Sequence, residues 1–370
     1  MDTNVKNLTI FNEPFKNEFL NSLDDRHKLC RELYVKTNGD LSKYILNQVI
    51  YDENVYLEKI AHREEISREM QDALELDLKI LQNIANLKCE QNDELPSYST
   101  SNVDIKQAFK DVVDNIFTHG YGKWRSDVMF EFDDNLNDIV TVKHPDTTSF
   151  ADLFDYERER KIVIDNTLAF LSNKPAQNIL LTGDAGTGKS STVKAVVNEY
   201  AKQGLRIIEV KKSQVKHIPK IIAQIEENPL HFIIFIDDIS FSTDDDAFGE
   251  MKALLEGSLS VQSNNVVIYA TSNRRHIVKE KWSDREGDEI HVNDSIQEMV
   301  SLSERFGLHI TFSRPSKKTY LNIVNELLVK ENFGKAPNDI DILAERFAMA
   351  HGGRSGRCAK QFVETLIASK

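Results

Sequence analysis

The stretch GDAGTGKSS, residues 183–191, constrains this chain more than any other part of it. Gly183, Gly186 and Gly188 enclose Asp184, Ala185 and Thr187, and Lys189, Ser190 and Ser191 follow. Asn178–Thr182 before them reads as a short buried strand, and Ser190–Lys202 after them carries Val193, Val196, Val197, Tyr200 and Ala201 at helical spacing. A glycine turn between strand and helix lets the backbone take positive φ. Successive N–H groups then converge on one anion beside the positive end of the helix dipole. Gly183, Gly188, Lys189 and Ser190 fit the spacing G-x-x-x-x-G-K-[ST]. In that geometry Lys189, expected to face solvent without a ligand, reaches the β- and γ-phosphates of a nucleoside triphosphate, and the Ser190 hydroxyl sits on Mg²⁺.

Phosphate binding alone cleaves nothing; magnesium and an oriented water are also required. The stretch HFIIFIDDIS supplies an apolar strand, Phe232–Ile236, that ends in Asp237 and Asp238. Asp237 is placed to hold the Mg²⁺ hydration shell and Asp238 to orient the attacking water. An aspartate is one methylene shorter than a glutamate, so Asp238 positions that water less well, or through a second one. NNVVIYATSN ends another buried strand at Asn273, whose amide can touch the γ-phosphate or the water. SLSERFG puts Arg305 just before the strand LHITF, a placement that taken alone reads as a surface ion pair. HGGRSGRCAKQFV places Arg354 and Arg357 at the start of the last helix, where a cation opposes the dipole and a bound phosphate would offset it.

Strands near 178–182, 205–210, 232–236, 265–271 and 308–312, separated by amphipathic helices, imply right-handed crossovers and a parallel sheet. Residues 315–370 have helical periodicity only, over 320–330, 340–350 and 355–369. Residues 41–95 contain no Gly or Pro and repeat apolar residues at helical steps, such as Leu74, Leu78, Leu81 and Ile80, Ile84, Leu87. They predict a hairpin of long helices, either an ordinary helical domain or a coiled-coil surface. Residues 91–102 read as a linker, Val103–Phe117 as a helix, and VMFEF with DIVTV as a strand pair. The expected divisions are a helical region 1–100, a small α/β segment 101–148, an α/β core 149–314 and a helical segment 315–370.

The formal charge is -13, yet residues 311–370 carry ten Lys/Arg against six Asp/Glu, which leaves -17 on the rest. That balance argues against a broad non-specific nucleic-acid surface. Cys30, Cys89 and Cys358 lie far apart with no C-x-x-C pair, as suits reduced structural thiols. No apolar run approaches a membrane span, and the chain is expected to be cytoplasmic with no membrane partner.

Taken in order, the motifs resemble the AAA+ superfamily: Walker A at Gly183–Ser190, Walker B at Asp237 and Asp238, sensor 1 at Asn273, an arginine finger at Arg305 and sensor 2 at Arg357. More narrowly, GDAGTGKSS, IDDISF, VIYATSNRRH, SLSERFG and RSGRCAKQF resemble the bacterial AAA+ family DUF815, over roughly residues 110–370. The resemblance implies a P-loop NTPase core with a sheet of order 5-1-4-3-2, a C-terminal helical lid, and a homo-oligomer (a hexamer) with active sites shared between subunits. Arg305 would then act in trans on a neighbour's ATP, and Phe150–Tyr156 would lie near the adenine. Arg357 matches the lid arginine better than Arg354. The function implied is hydrolysis of MgATP to remodel or load a protein or nucleic-acid partner. A slow ATP-dependent switch or loader is the alternative, and a P-loop kinase is disfavoured by Asn273 and Arg305. Residues 274–294, long and charged, read as a solvated or partner-facing loop.

Overall fold

The computed structural model describes residues 8–11, 26–89, 96–239, 246–255, 264–273, 304–334 and 336–369; the charged stretch 274–294 lies outside them. The chain divides into two compact units. One comprises Met1–Val128 with Lys202–Gly204 and Glu227–Leu230, and the other Met129–Ala201, Leu205–Glu226 and His231–Lys370.

The first unit is helical: α1 (Arg26–Thr37), α2 (Leu41–Ile50), α3 (Val55–Ala61), α4 (Arg68–Ala85), α5 (Ile105–Asp114) and two short helices, α6 (Ile116–His119) and α7 (Lys123–Ser126). Instead of the expected hairpin of long helices, residues 41–85 form three. The breaks are set by N-caps rather than by Gly or Pro. Asp40 accepts from the Lys43 amide, Asn54 from Leu57 and Ser67 from Met70, each satisfying a first-turn donor that the helix cannot pair. The predicted stripe is inward-facing: Leu74, Leu78, Leu81 and Ile84 join Leu33, Ile45, Leu57 and Phe109 in one core, with Ile80 and Leu87 packed against it. Residues 96–102, expected as linker, are tied into this unit. Ser99 donates to the Gly39 carbonyl at 2.8 Å, the Leu41 amide to Ser99 at 3.0 Å and the Ser101 amide to Ser42 Oγ at 3.0 Å. Residues up to Val128 thus group with the helical unit and those from Met129 with the α/β unit, apart from Lys202–Gly204 and Glu227–Leu230.

The second unit holds β1 (Met129–Asp133), β2 (Asp138–Thr141), α8 (Glu157–Leu171), β3 (Ile179–Gly183), α9 (Lys189–Tyr200), β4 (Leu205–Glu209), α10 (Ile218–Ile225), β5 (His231–Ile236), α11 (Asp246–Leu255), β6 (Val266–Ser272), β7 (Leu308–Phe312), α12 (Lys317–Lys330), α13 (Ile340–Ala350) and α14 (Gly356–Ala368). Its seven-stranded sheet runs β2-β1-β4-β5-β6-β3-β7, parallel except for the β1/β2 pair. β3 and β5 are buried along their whole length, which is why they read as unbroken apolar runs and not as alternating ones. The β1/β2 pair extends this sheet, because β1 docks parallel on β4 with Phe130 and Phe132 buried.

Register positions the site. Thr182 on β3 lies opposite Ser272 on β6, and Gly183 lies opposite Phe312 on β7. Ile236 on β5 lies opposite Ala270. The loops leaving β3, β5 and β6 thus emerge side by side at the carboxyl edge, where parallel α/β sheets place ligands. The three C-terminal helices share a core of Tyr320, Ile323, Leu327, Ala344, Cys358, Ala359 and Phe362.

Candidate nucleotide site

The glycine loop has the backbone its sequence predicts. Gly186 and Gly188 take φ of +76° and +93°, and Gly188 opens α9 as its N-cap. Gly183 is required for a different reason: a Cβ there would stand 2.0 Å from the Phe312 carbonyl oxygen on the neighbouring strand. At Gly186 a Cβ would come within 2.9 Å of the Arg357 Cβ, because the start of α14 lies directly on the loop. There the Arg357 amide donates to the Gly186 carbonyl at 3.2 Å.

Lys189 does not face solvent, as the sequence had suggested; it is only 5% exposed. Its ammonium donates at 2.9 Å to the carbonyls of Gly183 and Asp184 and to Asn273 Oδ1. The aliphatic stem is covered while the charge crosses the loop from inside, so Lys189 braces the loop whose ligand it would also meet. Burial pushes its pKa down, and Asp238, Asp237 and Asp184 oppose that shift.

The acids at the end of β5 are held by a second set of bonds. Ser190 Oγ donates to Asp237 Oδ1 at 2.6 Å, and Thr271 Oγ1 donates to the same oxygen at 2.5 Å. The Thr271 hydroxyl also accepts from the Asp238 amide at 2.8 Å, and so ties both acids to β6. Asp238 takes φ of +52°, a left-handed conformation that turns its carboxylate aside from that of Asp237. It accepts from Asn273 Nδ2 at 2.6 Å. One chain of bonds therefore runs Lys189–Asn273–Asp238 and a second runs Ser190–Asp237–Thr271. Thr271 was missed in the sequence, since a threonine inside a β-strand is ordinary; its place two residues before Asn273 was the available signal.

These groups open into a cleft of about 580 Å³. Its walls include Ala185–Thr192, Asp237, Asp238, Thr271 and Asn273 on the sheet side, and Asp152–Tyr156 with Arg160 on a second side. Ile323 and Leu327 of α12 and Arg357 and Lys360 of α14 complete it. Arg160 fixes the Leu153 carbonyl at 2.6 Å, and Tyr156 Oη donates to the Ser313 carbonyl at 2.6 Å. The structure separates the two arginines that the sequence left adjacent. Arg354 makes a two-pronged pair with Glu345, at 2.9 and 2.7 Å, whereas Arg357 lines the cleft. Arg305 is not brought to this cleft. It precedes β7, whose first residue pairs with Ile179 at the start of β3, so the five-residue strand, roughly 16 Å long, separates it from the loop of its own chain.

The residues present fit a triphosphate with magnesium. Two glycines in left-handed conformation leave a concave run of amides at the start of a 12-residue helix, with a lysine beneath. Ser190 and Asp237 offer hard oxygens side by side. Among the described residues no cluster of three or more His, Cys, Asp or Glu is suited to a metal. A cation here would complete its shell with phosphate oxygens and water, the usual state of Mg²⁺ with a nucleotide.

A mostly parallel sheet with a glycine loop after β3, paired acids after β5 and a polar amide after β6 defines the class: an α/β fold with a P-loop-type turn at the carboxyl edge of its sheet. Within it the chain belongs to the DUF815 family, described as "protein of unknown function", whose model matches residues 125–370. Among solved structures, the Thermotoga maritima RuvB Holliday junction branch migration motor is 12% identical, with a TM-score of 0.39, covering 60% of this chain and 64% of that one. A mutant of the same protein gives 12%, 0.40, 60% and 65%. The chain spans less than two thirds of the RuvB structures it matches. No curated protein matches it. Among the described residues no helix is long and apolar enough to cross a membrane.

Proposed function

We propose that this chain binds MgATP in the cleft between the glycine loop and α14 and hydrolyses it to ADP and phosphate. The observation that carries this reading is the bonded chain Lys189–Asn273–Asp238, which links the loop cation after β3 to the acid after β5 through the amide after β6, the strand between them. Loop amides from Gly183 to Ser191 and the Lys189 ammonium hold the β- and γ-phosphates. Ser190 and Asp237 hold Mg²⁺, which neutralises charge on the transferring phosphoryl group. Asp238 and Asn273 orient the water that attacks the γ-phosphorus, and Asp238 accepts its proton. The order of the five strands between Ile179 and Phe312 supports the 5-1-4-3-2 arrangement. The three terminal helices serve as a lid that brings Arg357 to the phosphates.

The distance of Arg305 from its own loop supports a finger acting in trans, in a homo-oligomer whose turnover works on a protein or nucleic-acid partner. A slow switch is the second reading. It is favoured by the Asp238 carboxylate, which is short and already holds the Asn273 amide. Calorimetry and steady-state turnover test both. Asp238→Asn should bind ATP as the native protein does and hydrolyse it about 100-fold more slowly. Native turnover in that variant would remove Asp238 from the reaction. Native turnover below one per minute with nucleotide-dependent assembly would favour the switch.

A further inference from the structure

Two cations of α14 face the cleft, and only one has a place in the reading above. Arg357 stands in the first turn, beside Gly186. Lys360 follows three residues later, so it shares a helix face with Arg357, roughly 4.5 Å further along the axis. It lines the same cleft. The direction of that step matters, because α14 starts at the phosphate loop and leads away from it. A neighbouring pocket lined by Lys360 also contains Thr148, Asp152 and Leu327. All three also line the main cleft, and the Thr148 carbonyl accepts at 2.8 Å from Asn198 of α9, nine residues and roughly 13 Å along the helix from Lys189, which puts this wall away from the glycine loop.

We infer that Lys360 contacts the inner phosphates of the bound nucleotide, α and β, while Arg357 meets the outer one; this rests on the MgATP reading of the same cleft. A nucleotide seated with its γ-phosphate near Lys189 and Asn273 points its α-phosphate toward the remote walls, the direction in which Lys360 is displaced from Arg357. Lys360 is able to change partner. Its protein ion pair is with Glu364 one turn on, 4.0 Å away, with the two side chains 71% and 61% exposed. An exposed pair of that kind holds its members weakly, and a phosphate oxygen competes well for an ammonium. Of the other acids that line this pocket, Asp152, Asp146 and Glu331, Asp152 is already engaged by Lys330 and by the Ser149 amide and hydroxyl, and Asp146 by the Thr148 amide and hydroxyl.

The two cations consequently read different features. Arg357 distinguishes triphosphate from diphosphate, whereas Lys360 sets affinity for both and keeps the product bound after hydrolysis. The experiment is calorimetric titration of the full-length chain with MgADP and MgATP, for the native protein, Lys360→Met, Lys360→Arg and Arg357→Gln. Lys360→Met should weaken ADP and ATP alike, by about tenfold at low salt and less at high salt. Lys360→Arg should restore both, and Arg357→Gln should weaken ATP more than ADP. Native affinities for both nucleotides in Lys360→Met, or a loss confined to ATP, would overturn the assignment while leaving the MgATP reading intact. A native protein that binds neither nucleotide would overturn both.

Discussion

Buried polar groups serve opposite ends in the two units. In the helical unit Asp77, Asn54 and Ser42 are fully buried, and each closes backbone hydrogen bonds. Asp77 accepts from the amides of Thr9 and Ile10 at 2.8 and 2.7 Å, Asn54 caps α3, and Ser42 Oγ donates to the Ala85 carbonyl at 2.6 Å. In the α/β unit Lys189 and Thr271 are also buried, yet besides backbone partners they bond to the side chains of Asn273 and Asp237 at the carboxyl edge of the sheet. The first pattern satisfies donors and acceptors that folding would otherwise strand. The second ties a lysine and two aspartates together at the carboxyl edge of the sheet. The difference teaches that burial of a polar residue does not mark function; the direction in which its unused bonding capacity faces does.

That comparison can be broken or sharpened by substitution. The largest effect is expected at Arg305, where a finger acting in trans is worth about 10³ to 10⁵ in rate. Arg305→Ala should bind ATP normally and hydrolyse it poorly. Mixing it with Lys189→Ala should recover activity, because one protomer offers the intact loop and the other the arginine. Mixed oligomers that stay inactive would place the action of Arg305 within its own chain or outside the chemistry. Next in size is Asp77→Ala, which strands the buried Ile10 amide and the half-buried Thr9 amide and should lower unfolding free energy in urea by about 2 kcal/mol. Its ATP affinity should be unchanged, and a parallel loss of affinity would erase the distinction between the units.

The smallest effect concerns Asp152. The Lys330 ammonium, aided by the Ser149 amide and hydroxyl, holds its carboxyl down at about 2. The folded value lies below the unfolded one, so this contribution is full above about pH 4 and is lost as pH falls toward 2. Asp152 is about a third exposed, and screening leaves about 0.5 kcal/mol. Lys330→Met should flatten the decline of the urea midpoint between pH 4 and 2. An unchanged slope would mean that the ion pair contributes nothing.

Four of the five parallel strands around the cleft, β3 to β6, were legible because each is a largely buried run, and a run of that kind needs no partner's identity to be recognised, whereas β7 alternates exposed and buried residues. The glycine loop was legible because positive φ and close approach admit few residues. The α2–α3 and α3–α4 breaks were harder to read. Asn54 and Ser67 look like any polar residue until their side chains meet the amides three positions on, and no Gly or Pro announced the ends.

Local sequence by itself determined the strand-loop-helix cradle and the order of the acids, amide and arginines, since short-range sterics and hydrophobic period act within a few residues. Only the tertiary structure decided that Arg354 is tied to Glu345 while Arg357, three residues on, lines the cleft. It also decided that Lys189 is buried, that Thr271 joins the two acids, and that β1 belongs to the main sheet. Most of those depend on residues tens of positions apart, brought to hydrogen-bond distance by strand register and by the docking of α14, and no local propensity encodes such distances.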